Sequence, residues 1–418
     1  MLNPVSKSTP RENRTIVVPF DQDKYPEMIL KPDKFRAAMG KFIEHNPELF
    51  PPEISLGYLM KDIYHSKKLS ILIRRIEVAE INYTVRPCFA MPYLTGFVDD
   101  VEKALFLRKF DVPFWALSYV FGKDHMYWYR LEQSLGRNSI VGTTIKAPEF
   151  LPEHLAADEK HTRIKGEKAY VATTVGNQCI LGASVAEDAG GKALKKAYGI
   201  FKDEAQYLDH EYSPKSVNTD GWKATINAWK ALFPFIAIIC CFLHVFLKIR
   251  DRCSKKYKDL FPQVADKFWN CYKATSKRSF SQQVRRLYEW SVKTSIPDVM
   301  LHPIKKLREN LSDYAKAYDL PGAHRTSNMV DRLMKRMDRH LFTTCYFHGS
   351  ISSAELNIRG WVLIHNFAPS NPLTIKKHSG LKSPAERLNK FCYHDNWLKN
   401  LLLSASLGGF RSPPLKLL

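Results

Sequence analysis

Between residues 154 and 242 the chain switches between two hydrophobic periods in a fixed order, and few folds accommodate that order. Residues 154–164, 168–175 and 179–187 each read as a strand, and Gly166 and Gly176-Asn177 supply the turns of two hairpins between them. The next stretch, 192–207, places Leu194, Ala197, Tyr198, Phe201 and Ala205 on one helical face. Residues 215–219 form a short strand that ends at Asp220, 222–233 a helix that Trp222 anchors, and 235–242 a fully apolar strand. The fold class expected is α/β.

Three antiparallel strands, a helix, a strand, a helix and a strand is the order of an RNase H-like domain, which sets the first and fourth strands side by side. Asp158 lies on the first of these and Asp220 ends the fourth, so the topology brings two distant acids together. Carboxylates held close repel one another unless a cation sits between them, and Mg²⁺ with oxygen ligands meets that need. A pair of such ions can clamp an in-line displacement at phosphorus. The third acid expected is Asp331, at the edge of a helical stripe made by Val330, Leu333, Met334, Met337 and Leu341, with Glu355 as its rival. Arg332, Lys335, Arg336 and Arg339 fall toward the other face of that helix, suited to phosphates. Strand alternation turns Glu159 away from Asp158, which gives it a structural role.

Cys241 and His244 have the spacing of half a zinc site, but no second pair follows nearby. His244 is therefore expected to contact substrate or orient a carboxylate, and Cys241 to pack in the core. Lys248, Arg250 and Arg252 come next and are expected to line a nucleic-acid channel. No Ser-His or Tyr nucleophile constellation is evident, and metal-assisted phosphoryl transfer requires none.

The 418 residues include 63 Lys plus Arg against 42 Asp plus Glu, a formal net charge of +21. A globular chain this basic gains free energy by neutralising phosphates and releasing their counterions, which points to DNA as partner. The cysteines are scattered without a C-x-x-C pair, which fits a reduced, cytoplasmic and nucleoid-associated setting. Residues 1–14 lack the apolar core of a signal peptide, and the longest apolar stretch, 232–247, is broken by Pro234 and His244. It also falls short of the roughly 20 residues that span a membrane.

The first twenty residues read as a flexible arm, opening a mixed α/β region to residue 95 with a helix at 34–44 and a hairpin at 70–86. Residues 96–147 contain three short helices: one with Val101, Leu105 and Phe110, one at 114–121 behind Pro113, and one at 125–135 capped by Asp124 after Gly122. This fits a helix-turn-helix-like DNA-binding region whose third helix presents Arg130, with Arg137 following. A helical layer whose aromatics form a packing core is the alternative. Residues 148–250 and 322–368 are expected as two parts of a catalytic core. Between them lies a helical insertion, 251–321, with Trp269, Tyr272, Leu287, Trp290 and Val292 inside, and a basic tail with a final packing helix occupies 369–418.

The segments ADEKHT (157–162), VNTDGWKAT (217–225), CFLH (241–244) and HRTSNMVDRLMKR (324–336) resemble, in this order, the transposases of prokaryotic insertion sequences. The likeness is nearest to the Mutator-like branch of the DDE superfamily. LIRRI (72–76), YWYRLEQSLGR (127–137), SFSQQVRRL (279–287) and YHDNWLKNLLLSASLGG (393–409) extend it over most of the chain. The family pattern has an Asp on the first strand, an Asp on the fourth, C-x-x-H after the fifth strand begins, and Thr/Ser-Asn-x-x-Glu-Arg on a helix beyond an all-helical insertion. The resemblance implies Asp158, Asp220 and Asp331 as catalytic metal ligands for two Mg²⁺ (or Mn²⁺) ions. It also implies transposon ends and target DNA as partners, with a homo-oligomer in the DNA complex. The implied reaction is hydrolysis of a phosphodiester at the element's end, followed by attack of the freed 3′-OH on target DNA. Asp331 stands where the family usually has Glu; being one methylene shorter, it needs a closer helix or a bridging water. A catalytically inactive DNA-binding relative, or a nuclease or resolvase of the same fold, are the alternative readings.

Overall fold

The computed structural model describes residues 13–411 except Ser254. Its architecture is mixed α/β, with two mixed sheets. The N-terminal part runs β1 (Thr15–Val18), α1 (Tyr25–Leu30), α2 (Pro32–His45), β2 (Leu59–Ser66), β3 (Ile71–Val78) and β4 (Ile81–Pro87). The β3–β4 hairpin turns at Ala79-Glu80, both left-handed, and α1 and α2 cover one face through Tyr25, Ile29, Phe35 and Met39. The expected flexible arm is corrected here for 15–18, which pair in parallel with β4 from Thr15↔Thr84 to Val18↔Pro87. A four-residue β-branched run has no local signature of a partner so far along the chain. Phe20 is also buried in the core of this sheet, and residues 1–12 of that expectation lie outside the described residues.

The next helices are α3 (Val98–Arg108), α4 (Phe114–Phe121), α5 (His125–Leu135) and α6 (Ile140–Thr144). Gly122 is left-handed, and Asp124 caps α5 by accepting from Met126 N at 2.8 Å. α3, α4 and α5 are the three helices expected at 96–147, but α3 ends at Arg108 and leaves Phe110 59% exposed; Trp128, with Leu131 and Leu135, is buried in a core.

The second sheet follows as β5 (His154–Ile164), β6 (Glu167–Gly176), β7 (Cys179–Ala186), α7 (Gly191–Leu208), β8 (Ser216–Thr219), α8 (Lys223–Leu232) and β9 (Ala237–Cys240). Its strand order is β7-β6-β5-β8-β9, antiparallel through the two hairpins and parallel from β5 to β9. The strand expected at 235–242 is shorter than the apolar run. β9 can pair only along the four residues of β8, Phe235 is 96% exposed, and Phe242 already opens α9 (Phe242–Cys253). An unbroken apolar run does not by itself separate strand from helix.

Helices α9, α10 (Phe261–Tyr272), α11 (Lys277–Lys293), α12 (Asp298–Glu309) and α13 (Leu311–Ala315) share a core built on Phe242, Phe268, Phe280, Val284, Leu287 and Ile304. Of the expected core positions Leu287 is buried, Trp269, Tyr272 and Trp290 are half-buried, and Val292 is 49% exposed. The chain then returns to the second sheet as α14 (Asn328–Thr343) and α15 (Ile351–Phe367). These cover one face through Val330, Met337, Ile358 and Val362, while α7 and α8 cover the other.

Finally α16 (Pro372–Lys377), α17 (Pro384–Asn389) and α18 (Trp397–Ser404) complete the chain. α18 is the expected packing helix, and it shares one apolar core with α3, α5 and α15. The residues after it tie back to the N-terminal sheet, where Ser406 Oγ accepts from Val17 N at 3.1 Å. α5 and α15 touch backbone to backbone, since a Cβ on Gly136 would lie 1.9 Å from Leu356 O. A buried ion pair, Arg108 Nε to Glu132 Oε2 at 2.7 Å, fixes α3 to α5 beside this contact. Among the described residues no helix is long and apolar enough to cross a membrane.

Candidate metal centre

Asp158 sits in the middle of β5, opposite Thr173 of β6. On its other side the parallel register ends at Ala156 paired with Asn218, and Asp220, just past β8, is near enough for its charge to act on Asp158 but is not among the donor atoms that converge there. Asp220 follows β8 directly, and its Oδ1 accepts from Trp222 N at 2.8 Å, which starts α8. Gly221 makes that turn possible with a left-handed φ of +90°.

The other two groups come from helix starts. His244 lies in the first turn of α9, and Asp331 in the first turn of α14, where the unpaired helix N–H groups favour an acid. Ligand atoms of Asp158, His244 and Asp331 all lie within 4.8 Å of one another. Ser327, the residue before α14, joins them to Cys241: its hydroxyl is 3.1 Å from Cys241 Sγ, 3.2 Å from Asp331 Oδ1 and 3.4 Å from His244 Nδ1. Its N–H donates to the same sulfur at 3.1 Å. Cys241 is thus buried, as expected, but as part of this polar cluster.

The electrostatics follow from that crowding. Burial, then the Asp220 charge, lifts the Asp158 carboxyl to about 6, although His244 pulls it the other way. Burial also raises Asp331, opposed by His244 and the Ser327 hydrogen bond. For His244 burial works downward, but Cys241, Asp331 and Asp158 outweigh it and carry the imidazole up to about 9. Burial pushes the Cys241 thiol up, yet contact with His244 and Ser327 brings it below its ordinary value. The protonated imidazole and a divalent cation would therefore compete for one place between the two acids. Asp331 Oδ2 is buried with no hydrogen-bond partner. Two carboxylates, an imidazole and an unsatisfied carboxylate oxygen suit a divalent ion, and Asp158, His244 and Asp331 are the residues that can hold it.

His244 was expected near the acids as a substrate contact or orienting group; the structure makes it one of the three converging donors. Asp331, not Glu355, is the acid brought to Asp158. Glu355 instead accepts a hydrogen bond from Ser184 Oγ on the edge strand β7, separated from β5 by β6. Glu159 is structural, buried between α7 and α8, where it accepts from Tyr198 OH at 2.8 Å and Thr225 Oγ1 at 2.6 Å. Ser327 was missed as a site residue, although a Ser just ahead of a helix, four residues before an acid, is a readable signal.

The expected DNA-contacting cations divide into groups. Lys248, Arg250 and Arg252 are exposed on α9, the helix that carries His244, and Arg250 pairs with its neighbour Asp251 at 2.7 Å. Arg332 and Arg336 are exposed on α14, while Arg339 lies 3.4 Å from Asp111. Arg130 is exposed on α5, and Arg137 lies over the Tyr93 ring at 5.3 Å.

No family model matches the chain, and no curated protein gives a significant match to it.

Proposed function

We propose that the chain is a DNA transposase with an RNase H-like catalytic domain, acting by metal-dependent phosphodiester hydrolysis and strand transfer. The observation that carries this reading is the meeting of Asp158, His244 and Asp331, contributed by β5, α9 and α14, with the charge of Asp220 at the end of β8 acting on Asp158. Support also comes from the strand order β7-β6-β5-β8-β9 and from the all-helical segment that separates Asp220 from Asp331.

Asp158, Asp331 and His244 would hold a divalent ion, Mg²⁺ or Mn²⁺, with Asp220 beside Asp158 for a second. Such an ion activates a water and neutralises charge at the phosphoryl group. Ser327 orients Asp331 and the imidazole. Lys248 and Arg252 on α9, with Arg332 and Lys335 on α14, are exposed on the two helices that carry His244 and Asp331 and would hold the DNA backbone.

The test uses purified protein, Mg²⁺ or Mn²⁺, and labelled duplexes taken from the DNA that flanks this gene. Wild type should nick at a defined position and join the new 3′ end to a target plasmid, and Asp220→Ala should bind the same DNA without nicking. Binding without nicking by both proteins refutes the enzyme reading. Cleavage of branched DNA with no preference for the flanks would replace the transposase with a nuclease of the same fold.

A further inference from the structure

A cleft of about 430 Å³ opens between the N-terminal sheet, the end of α5 and the segment after α18, and it shares no lining residue with the Asp158 centre. Lys68, Arg86 and Arg137 line it, together with Tyr64 and Tyr93, and among the described residues no carboxylate does. The tyrosines are 38% and 59% exposed, and Arg137 lies over one face of the Tyr93 ring at 5.3 Å. Arg86 is only 7% exposed, and its hydrogen bond runs from Nη1 to Ala90 O at 2.6 Å, to a neutral acceptor. Burial presses its guanidinium down to about 10 against the opposing pull of Cys88 and Tyr93, and among the described residues no carboxylate acts on it. A buried cation without a countercharge is costly to a fold. Beside it Tyr93 and Leu94 are both left-handed, with φ of 58° and 54°, a strained backbone of the kind found at ligand clamps.

We propose that this cleft binds a nucleoside phosphate, with the phosphate held by Arg86, Arg137 and Lys68 and the base lying against Tyr64 or Tyr93. The guanidinium pair suits a phosphate's oxygens, and an open tyrosine face stacks on any base. The ligand is a free nucleotide or one unit of a single DNA strand. The site shares no residue with the metal centre and binding there needs no metal; Arg137 is the one residue it has in common with the cations expected to contact DNA.

The experiment uses the full chain in EDTA, with dTMP binding followed by calorimetry and a short fluorescein-labelled oligothymidylate followed by anisotropy. The cleft variant Lys68→Ala/Arg137→Ala is compared with Lys192→Ala/Lys195→Ala, which removes the same charge from exposed positions on α7. The cleft variant should weaken at least one ligand by about tenfold, while the charge-matched pair changes it by less than about twofold. Loss of dTMP binding identifies a free nucleotide, and loss of the oligonucleotide alone identifies a strand. Equal weakening by both variants, or no weakening by either, overturns the proposal. A second measurement needs no variant: 5-iododeoxyuridine monophosphate or a strand carrying 5-iododeoxyuridine should photocrosslink to the peptide with Tyr64 or Tyr93, and crosslinks of both found only elsewhere also overturn the proposal.

Discussion

Replacing Asp158 by Asn should abolish catalysis and at the same time stabilise the metal-free protein. The carboxyl is raised from its ordinary 3.8 to about 6, first by burial and then by the charge of Asp220. A difference of about two pH units corresponds to roughly 3 kcal/mol between the ionised and neutral forms. Partial solvent access and the attraction to His244 reduce this, so a gain of about 1–3 kcal/mol is expected for the isosteric neutral amide above pH 7. Its side-chain oxygen can still accept from Glu159 N, now 2.9 Å from Asp158 Oδ1. A folded-state pKa above the unfolded one means that the native protein binds the proton more tightly. The stability this provides is complete below the unfolded value of 3.8 and is lost as pH rises through about 6. The advantage of Asp158→Asn should therefore be largest near pH 8 and vanish near pH 4. Urea denaturation in EDTA at the two pH values, followed by tryptophan fluorescence, measures it. A variant less stable than wild type at pH 8, or a difference that does not change with pH, would refute the electrostatic account of the centre.

Millimolar Mn²⁺ or Mg²⁺ should raise the melting temperature of wild type, by about 2.7 kcal/mol in stability at a hundredfold excess over Kd. By differential scanning fluorimetry the shift should be absent from Asp331→Ala and kept by Glu355→Ala, and the opposite pattern would make Glu355 the ligand. Glu132→Gln should cost about 3–5 kcal/mol, because it leaves the fully buried Arg108 without its carboxylate. The double variant Arg108→Met/Glu132→Leu should recover most of that loss in urea titrations, and an equal or greater loss would show that the ion pair is not the cause. Gly136→Ala places a Cβ 1.9 Å from Leu356 O and should destabilise by about 3 kcal/mol or more. An unchanged melting temperature would mean that α5 and α15 do not meet as described.

Much of the second sheet was legible in the sequence because its signals are local. β5 has the bounds read from the sequence, 154–164, closed by the turn at Gly166. α7 was readable from Leu194, Ala197, Tyr198, Phe201 and Ala205, all of which are buried. Legibility failed where an element depends on a distant partner. β1 is a strand because β4 waits for it, and β9 is short because β8 is short. The tie from Ser406 back to Val17 spans almost the whole chain and leaves no pattern in either segment.

The same division runs through the candidate site. The order of strands and helices alone set Asp158 and Asp220 on neighbouring strands, since side-chain period and turn chemistry fix which elements form and acids keep their places on them. The preference for Asp331 over Glu355 came from the text around it and its place on a helix, and the order of elements gave no support, because both sit on helices with buried faces. The choice was decided by which helix start reaches β5, and packing directs α14 there while α15 turns Glu355 to the edge strand. His244 became a third donor for a similar reason: the apolar run ends its pairing at Cys240, so α9 begins early enough to bring the imidazole back over the acids. Local periodicity decides what each segment becomes, but the meeting of side chains from four segments depends on pairing and packing energies summed over the whole fold.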